Sequence, residues 1–496
     1  MQLDFLESKD GSKTFSADGL FYHSSYSPLK EARRFIETYN FVNNPKIVFL
    51  IEPGFNYFSN CIKERFAGCK VACIRFFDHH FDDENTWDYV LRYDGAQKLS
   101  QVLLNTFGEE TLLCSALLVW KPAETLFKEK LGSFINEYKE ALQASKTLLV
   151  TRQFFEQKWL INSCNFIKYT KRLIKPFDKT TLPVVVCASG PSLLSAVKTI
   201  KQFEQKLFII CLSSALSVLI KNEITPDLVL STDGGFWAGE HLKYLKNNPG
   251  IPLAASCEAF VPKKILKDNP VCALQYNDSS SFISAMILEK AGIKSFEALR
   301  NPTVSGTGLF FAKSITTNKV FFCGLDLVQS ECFGHSQPNE LEKNNELKDS
   351  RISTKETRLS RSRYNASSLK IYRDWFFSLD CNDVQNVLRV IDKHSQNALG
   401  NIKDIAPEEF KNELTGIGET KKVSDYQKQT VNETTLSDSF MFIIEQLKTD
   451  KWMNQIFPAD FLSIQNAPET EKPALQNRLN KKVEKLTTRI RKIADE

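Results

Sequence analysis

The stretch VVVCASGPSLLSAV, residues 184–197, decides the fold of this 496-residue chain. Its apolar run VVVC is typical of a buried strand, and the pattern after Pro191 is typical of a helix. Glycine at position 190 lets a ligand approach the backbone closely, and proline suits the first turn of a helix. The free N–H groups and positive dipole end of such a helix attract anions. The turn is therefore either a plain structural turn or a seat for a phosphate or nucleotide.

The alternation of strand and helix continues on both sides of this stretch. Strands that alternate with helices form parallel sheets, which bind ligands at the carboxyl ends of their strands. We therefore predict an α/β protein with a Rossmann-like doubly wound central domain, a smaller N-terminal α/β domain and a helical C-terminal region. The other predicted strands lie within the apolar runs 47–51, 70–77, 111–120, 207–212, 226–233, 251–258, 271–276 and 319–327.

The length of the chain exceeds what one compact core normally holds. We predict an N-terminal α/β domain over residues 1–165, a central domain over 166–400 and a helical domain over 401–496. Within the central domain, residues 336–363 are almost entirely polar and show no apolar period, which predicts a mobile loop.

The composition excludes several classes of protein. A net charge of +5 does not indicate a nucleic-acid binder. The 12 cysteines lie mostly in apolar runs and form no CxxC pair, which favours buried thiols in a reducing cytosol; the CxxxC pair Cys69 and Cys73 is best explained by packing. The first residues lack a signal-peptide pattern, and no apolar run reaches the roughly 20 residues of a membrane helix. We expect a cytoplasmic protein without membrane insertion.

Small and polar residues follow three further predicted strands. Asp233 and Gly234 end one strand, where the carboxylate either contacts a ligand or caps the helix beginning near Phe236. Ser305–Gly308 starts a helix, and Gly324 and Asp326 end another strand. Each turn alone has a structural explanation, whereas the four together favour a single rim.

His335, in the polar sequence CFGHSQ, is the candidate for chemistry. Its ordinary pKa near neutrality suits it to act as a general base on a hydroxyl. The alternative is an idle histidine in an exposed loop. His23, His79, His80, His241 and His394 are weaker candidates.

These motifs resemble those of the motility-associated factors, or Maf proteins, which are bacterial flagellin glycosyltransferases. The family shows a G-P-S-L turn, an I-x-P-D-x-x-x-x-x-D segment, a helix with T-V, and a G-x-D-L strand end followed by a histidine. Each has a counterpart here, and YHSSYSPLKEARRFIE (22–37) resembles the HS-x-x-x-P-x-x-EA stretch of the family. His23 is then typical of the family rather than catalytic. The resemblance covers roughly residues 18–400.

The central domain is also similar to bacterial sialyltransferases that use CMP-sugars. Their G-N-G-P-S turn holds the nucleotide and their G-H-S histidine acts as the base, which implies that role for His335. Ser189 stands where those enzymes often have asparagine. The nucleotide-sugar contacts expected from the corner turns and this resemblance are Ser189, Gly190, Pro191, Ser192, Ser213, Asp233, Gly234, Ser305, Gly306, Thr307, Gly324 and Asp326.

The resemblance implies transfer of a nonulosonic acid, of the pseudaminic or legionaminic type, from a CMP-sugar donor to Ser or Thr of flagellin, a step needed for flagellar assembly and motility. It implies no certain cofactor and no metal site, and leaves the oligomeric state unknown. An alternative is an archaeal type of 6-hydroxymethylpterin diphosphokinase (MptE-like), in which Asp233 and Asp326 hold Mg²⁺ near ATP. A second alternative is a non-catalytic flagellin-binding accessory protein.

Overall fold

The computed structural model describes residues 2–42, 44–95, 99–327, 334–357, 367–393, 395, 397–418, 420–421 and 426–496. The chain divides into two compact units: Met1–Phe154 with Asn454–Lys481, here the N-terminal unit, and Phe155–Met453 with Lys482–Glu496, here the central unit. The division into three domains stays a prediction.

The elements run as follows in chain order. Up to residue 169 they are β1 (Leu3–Glu7), β2 (Lys13–Ala17), β3 (Leu20–Phe21), α1 (Pro28–Thr38), β4 (Ile47–Ile51), α2 (Ser59–Arg65), β5 (Lys70–Arg75), β6 (Tyr89–Arg92), α3 (Leu99–Leu113), β7 (Ser115–Val119), α4 (Lys121–Leu126) and α5 (Lys128–Tyr169). From there to residue 298 they are β8 (Arg172–Ile174), β9 (Val184–Cys187), α6 (Leu193–Gln202), β10 (Phe208–Leu212), α7 (Leu216–Lys221), β11 (Leu228–Ser231), α8 (Phe236–Leu242), β12 (Leu253–Ser256), α9 (Lys263–Asp268), β13 (Pro270–Tyr276), α10 (Phe282–Lys290) and β14 (Ser295–Ala298).

The remaining described elements are α11 (Val304–Ile315), β15 (Val320–Cys323), α12 (Glu340–Glu346), α13 (Ser367–Phe377), β16 (Val387–Val390), β17 (Lys403–Ile405), α14 (Pro407–Thr415), β18 (Lys428–Gln429), α15 (Glu433–Gln446), α16 (Asp450–Ile456), α17 (Pro458–Asn466) and α18 (Lys472–Asp495). The region after residue 401 is mainly helical, as predicted, and it also adds β17 and β18 to the central sheet.

The N-terminal unit contains two sheets. One is an antiparallel sheet in the order β1-β2-β3, and the other is a parallel sheet in the order β6-β5-β4-β7. All five residues of β4 are buried. A continuous apolar run of this kind is typical of a parallel strand that is covered on both faces.

The central unit is built on one large sheet in the order β17-β16-β15-β9-β10-β11-β12-β13-β8-β18, with β14 also pairing with β13. Its strands pair in parallel except β18, which runs antiparallel to β8. From β9 the chain builds outward through β10 to β13, then returns to the other side of β9 as β15. The strand order therefore reverses at β9, which is the position where such sheets bind ligands. The predicted doubly wound α/β fold is confirmed.

Two local predictions were wrong. The apolar run 111–120 is not one strand, because α3 continues to Leu113 and only Ser115–Val119 pairs with β4. The polar segment 336–363 is not a loop throughout, since α12 begins within it. The side chain of Asn339 caps that helix by accepting a hydrogen bond from the Leu341 N–H at 3.0 Å. Residues 358–363 lie outside the described residues.

Candidate active site

The turns after β9 and β15 cross in direct contact where the strand order reverses. The Gly190 N–H donates to the Gly324 carbonyl at 2.8 Å. A Cβ atom on Gly190 would lie 2.4 Å from both that carbonyl oxygen and the Asp326 carboxylate. Gly324 adopts a φ of +81°, and its Cβ would lie 2.2 Å from the Ala188 carbonyl oxygen. Both positions therefore need glycine for the crossing itself.

The buried Asp326 carboxylate stabilises this crossing through two hydrogen bonds. Its Oδ2 accepts the Ser192 N–H at 2.9 Å, and its Oδ1 accepts the Ser395 hydroxyl at 2.5 Å. The Leu193 N–H donates in turn to the Gly190 carbonyl. Donors at the start of α6 that the sequence suggested were free are thus used within the protein. The proposal that Ser189–Ser192 contact a nucleotide therefore depends on the location of this turn at the reversal of strand order, and not on free N–H groups.

Ser192 is buried together with this crossing. Its side-chain oxygen has no hydrogen-bond partner among the described residues. The Ser189 hydroxyl faces the next strand end instead and accepts a hydrogen bond from the Ser214 hydroxyl at 3.0 Å. Ser213 itself is buried in the short 3₁₀ turn that follows β10.

The segment His335–Glu340, here the histidine strap, is held across the turns after β9 and β10. Ser336 donates to the carbonyls of Ser189 and Gly190 at 2.6 Å each. The Ser217 hydroxyl donates to the Pro338 carbonyl at 2.5 Å, and the Asn339 amide donates to the Ser214 carbonyl at 3.3 Å. Hydrogen bonds on both sides of the strap thus fix the backbone next to His335.

His335 is partly buried, and this burial lowers its pKa below the ordinary 6.5, although the nearby Glu342 raises it. The imidazole is therefore neutral at pH 7. A neutral imidazole can accept a proton, which is the state a general base needs.

His241, one of the weaker candidates from the sequence, lies on α8. Burial lowers its pKa, and so does the charge that His335 carries when it is protonated, whereas Glu340 and Asp233 raise it. Asp233 is exposed, and its carboxylate accepts the Gly235 N–H at 2.9 Å, so it forms the local turn ahead of α8.

The third predicted corner, at the start of α11, is mostly engaged in packing. Thr307 donates through its hydroxyl to the Leu299 carbonyl at 3.1 Å. A Cβ on Gly306 would meet the Trp375 ring at 2.8 Å, so this glycine makes room for an indole. Ser305 is buried and donates its N–H to the Thr303 side chain that caps the helix. One turn further along, Gly308 lies against Leu212 at the end of β10, which brings the corner to the carboxyl edge.

A second polar cluster lies along the same edge, beyond β11. The Arg300 guanidinium donates to the buried Glu258 carboxylate at 2.7 Å and to Asp278 at 3.2 Å, and lies over the Tyr276 ring at 4.4 Å from its centre. Both carboxylates thus pair with the one cation. Gly234 packs close by, because its Cβ would lie 2.6 Å from the Trp159 indole nitrogen. These pairs join residues far apart in sequence, and no motif indicated them.

Thus the structure brings together Gly190, Ser192, Gly324 and Asp326 by direct contact, and it binds Ser336, the neighbour of His335, to the same turn. The described residues contain no cluster of three or more His, Cys, Asp or Glu arranged to bind a metal ion. In the same part of the chain, every helix is too short or too polar to cross a membrane.

Comparisons with known proteins agree with this architecture. Residues 157–331 match the family model described as 6-hydroxymethylpterin diphosphokinase MptE-like. An uncharacterized protein of Treponema pallidum (strain Nichols) is 28% identical over 319 residues, which cover 64% of this chain and 68% of that protein. The structure of a Maf glycosyltransferase from Magnetospirillum magneticum AMB-1 matches with a TM-score of 0.54 at 12% identity, covering 100% of this chain and 91% of the other. The predicted resemblance is confirmed, to the Maf protein in fold and to the MptE-like family in the central sequence.

Proposed function

We propose that this chain is a glycosyltransferase that moves a nonulosonic acid from a CMP-sugar to Ser or Thr of flagellin in the cytoplasm. The observation that carries the proposal is the seating of the histidine strap on Ser189 and Gly190, at the reversal of strand order. That arrangement supports the assignment of His335, because its neighbour Ser336 is bound at the position where doubly wound sheets hold nucleotides. The fold shared with a Maf glycosyltransferase supports the class of reaction.

In this reaction His335 takes the proton from the acceptor hydroxyl. The hydroxyl oxygen then forms a bond to the anomeric carbon of the sugar, while the bond from that carbon to the phosphate oxygen breaks. CMP departs with the electron pair and needs little further activation, since a phosphate ester is already a good leaving group. Positioning and one base are then the main contributions of the protein.

The residues proposed to line the donor remain those of the corner turns. Ser189, Ser213 and Asp233 offer polar atoms along the carboxyl ends of β9, β10 and β11. Gly190 and Gly324 allow the turns after β9 and β15 to cross closely beneath the proposed donor position. Asp326, Ser192, Pro191, Gly234, Ser305, Gly306 and Thr307 are proposed to support this surface.

Flagellin itself provides the test in cells. Its intact mass, compared between cells with and without this protein, should differ by the mass of one or more nonulosonic acid residues. Equal masses would reject the transfer to flagellin. They would leave the accessory-protein alternative, which pull-down of flagellin by the purified chain examines.

A second candidate function is an MptE-like diphosphokinase, favoured by the match of residues 157–331 to that family model. This enzyme would use Asp233 and Asp326 to hold Mg²⁺. Asp326 is buried and accepts from both Ser192 and Ser395, so its oxygens are engaged in the described structure. Titration with CMP and with ATP, each with and without a chelator, separates the two candidates. Chelator-sensitive ATP binding without CMP binding would favour the kinase.

A further inference from the structure

The strand β1 forms one edge of the antiparallel sheet in the N-terminal unit, and the proposed chemistry does not involve it. The sheet has the order β1-β2-β3, so β1 pairs only with β2 among the described strands. The opposite edge strand, β3, is two residues long, whereas β1 is five residues long. The register of β1 with β2 runs without interruption from Leu3 opposite Ala17 to Glu7 opposite Lys13. The longer edge of this sheet is therefore also a regular one.

Hydrogen bonds at the two ends of this pairing show which backbone groups of β1 are used. The Ser8 N–H donates to the Ser12 carbonyl at 2.9 Å, and the Asp18 N–H donates to the Gln2 carbonyl at 3.1 Å. Hydrogen-bonded and non-hydrogen-bonded residue pairs alternate along two antiparallel strands. The even-numbered residues of β1 therefore exchange hydrogen bonds with β2, and the odd-numbered residues direct their N–H and C=O groups away from β2.

Three residues of β1 thus have backbone groups that face the open edge. They are Leu3, Phe5 and Glu7, whose N–H and carbonyl groups form no hydrogen bond with any other described residue. A row of this kind is a template for a further strand, and proteins usually shield it with lysine, proline, a bulge or a covering segment. The sequence of β1, LDFLE, contains neither lysine nor proline. An extended polypeptide is the ligand whose backbone groups match this row.

Apolar side chains of β1 border a hollow next to the strand. Its volume is 530 Å³, and its lining includes Phe5, Leu6 and Glu7 of β1 together with Phe55 and Phe81. The Phe5 ring is 48% exposed, and its centre lies 6.3 Å from that of Phe55 and 6.5 Å from that of Phe81. In strand addition, backbone hydrogen bonds provide affinity and pockets for alternate side chains provide specificity. The hollow favours a strand with apolar side chains on one face.

The charges of β1 distinguish between two kinds of strand. Asp4 and Glu7 are both exposed, and β1 itself has no cation. Lys13, which lies opposite Glu7 on β2, is paired with Asp82. Two copies of β1 side by side would bring four carboxylates together, whereas lysine or arginine on an added strand would form opposite-charge pairs with them. The edge therefore favours a cationic strand over a second copy of itself.

We propose that the open edge of β1 is a docking site for an extended segment of another protein, which adds a strand to this sheet and carries alternating apolar and cationic side chains. The outward backbone groups of Leu3, Phe5 and Glu7 form the hydrogen bonds to this segment. The hollow takes an apolar side chain, and Asp4 and Glu7 pair with the cations. The inference goes beyond the proposed sugar transfer and does not depend on it.

The test compares Glu7→Pro with Glu7→Ala in the full chain, with the fluorophore-labelled peptide KVKVKVK as the probe. Both changes remove the same carboxylate, but only Glu7→Pro removes an N–H group, and the pairing with β2 does not use that group. We expect Glu7→Ala to weaken peptide binding by less than about fivefold, since it removes one opposite-charge pair. Glu7→Pro should weaken binding about tenfold further, because it removes a hydrogen bond and places a ring at the edge. Fluorescence anisotropy measures both affinities.

Equal affinities of the two variants, or no binding of the peptide by the wild type, would overturn the proposal. A wild-type dimer that Glu7→Pro dissociates in analytical ultracentrifugation would also overturn it, because the edge would then belong to a second copy. Hydrogen–deuterium exchange of the wild type keeps the proposal testable if Glu7→Pro does not fold. Saturating peptide should slow exchange of the amides within residues 2–8, and unchanged exchange there would contradict strand addition.

Discussion

The two parallel sheets of this protein reverse their strand order in the same way but cover the reversal differently. In the N-terminal unit the reversal lies at β4, and the turn that follows is Glu52–Phe55. A Cβ on Gly54 there would lie 2.6 Å from His23, whose Nε2 accepts the Phe55 N–H at 3.0 Å. The histidine thus occupies the side of the turn where a ligand would approach. In the central unit the corresponding turn carries serines and the histidine strap.

The polar groups at the reversal of the N-terminal unit are buried and paired with one another, unlike the serines of the central turn. In the N-terminal unit Glu52 and Arg75 are completely buried and pair at 2.9 Å, and the Tyr22 hydroxyl donates to the Glu52 carbonyl at 2.8 Å. The rings of Phe15, Tyr22, Phe58 and Trp120 pack around the His23 imidazole, and the Arg75 guanidinium lies over the Phe81 ring at 4.2 Å from its centre. The comparison teaches that strand order alone does not make a site, because the residues that cover the reversal decide whether a ligand can enter.

The largest effect should follow from removing the imidazole of the central reversal. We expect His335→Ala to lower kcat for sugar transfer by about 10²–10⁴, since that is the usual contribution of a general base. His79→Ala, an exposed histidine of the N-terminal unit, should leave kcat unchanged. Transfer from a CMP-sugar measured by mass spectrometry provides the readout, and comparable rates in both variants would contradict the assignment of the base.

Breaking the buried pair should destabilise the N-terminal unit and leave sugar transfer by the central unit unchanged. Arg75→Met leaves Glu52 buried and unpaired, which should reduce the free energy of unfolding of the N-terminal unit by about 3–5 kcal/mol. Arg33→Met removes an exposed pair with Glu64 and should cost less than about 1 kcal/mol. Urea unfolding followed by hydrogen exchange of peptides from each unit measures both. Equal losses would mean that burial of the Glu52–Arg75 pair has no consequence.

A methyl group at the central crossing should have an intermediate effect. Gly190→Ala places a Cβ 2.4 Å from two oxygens, so the free energy of unfolding should fall by about 1–3 kcal/mol and CMP binding should weaken. Gly416→Ala, where nothing lies within 4 Å of the added atom, is the control. Thermal unfolding and CMP titration are the measurements. Unchanged values for Gly190→Ala would show that the crossing tolerates a side chain.

The smallest effect concerns pH. Burial lowers the pKa of His23 from 6.5 to about 3, and the charge of Arg75 adds to this. Between these values the unfolded chain binds the proton and the folded unit does not. The stabilisation is therefore complete above pH 6.5 and declines as pH falls, by about 1.4 kcal/mol per pH unit at most. Urea unfolding at pH 7 and pH 5.5 tests this, and His23→Asn should reduce the dependence. A slope that survives in His23→Asn would assign it to other groups.

The sequence predicted the central strands because a parallel strand covered on both faces reads as an apolar run, as in Val184–Cys187. It missed β6, β8, β14, β16, β17 and β18, each of which contains a charged residue. The sequence also located the corner turns. At Gly190 and Gly324 the close crossing of the two backbones requires glycine, and Pro191 marks the turn after β9. The prediction failed at 111–120, where the same apolar residues continue a helix. The pair of Glu258 with Arg300 and the hydrogen bonds of Ser336 to Ser189 and Gly190 are contacts between distant segments. Local patterns carry no information on such contacts.

The crossing of Gly190 with Gly324 has a consequence for synthesis of the chain. The turn after β9 is translated more than a hundred residues before β15, the strand that will cover one of its edges. Until then the nascent chain presents an unpaired apolar strand, which invites pairing with other chains. The step that completes the crossing is thus also the step that ends this exposure.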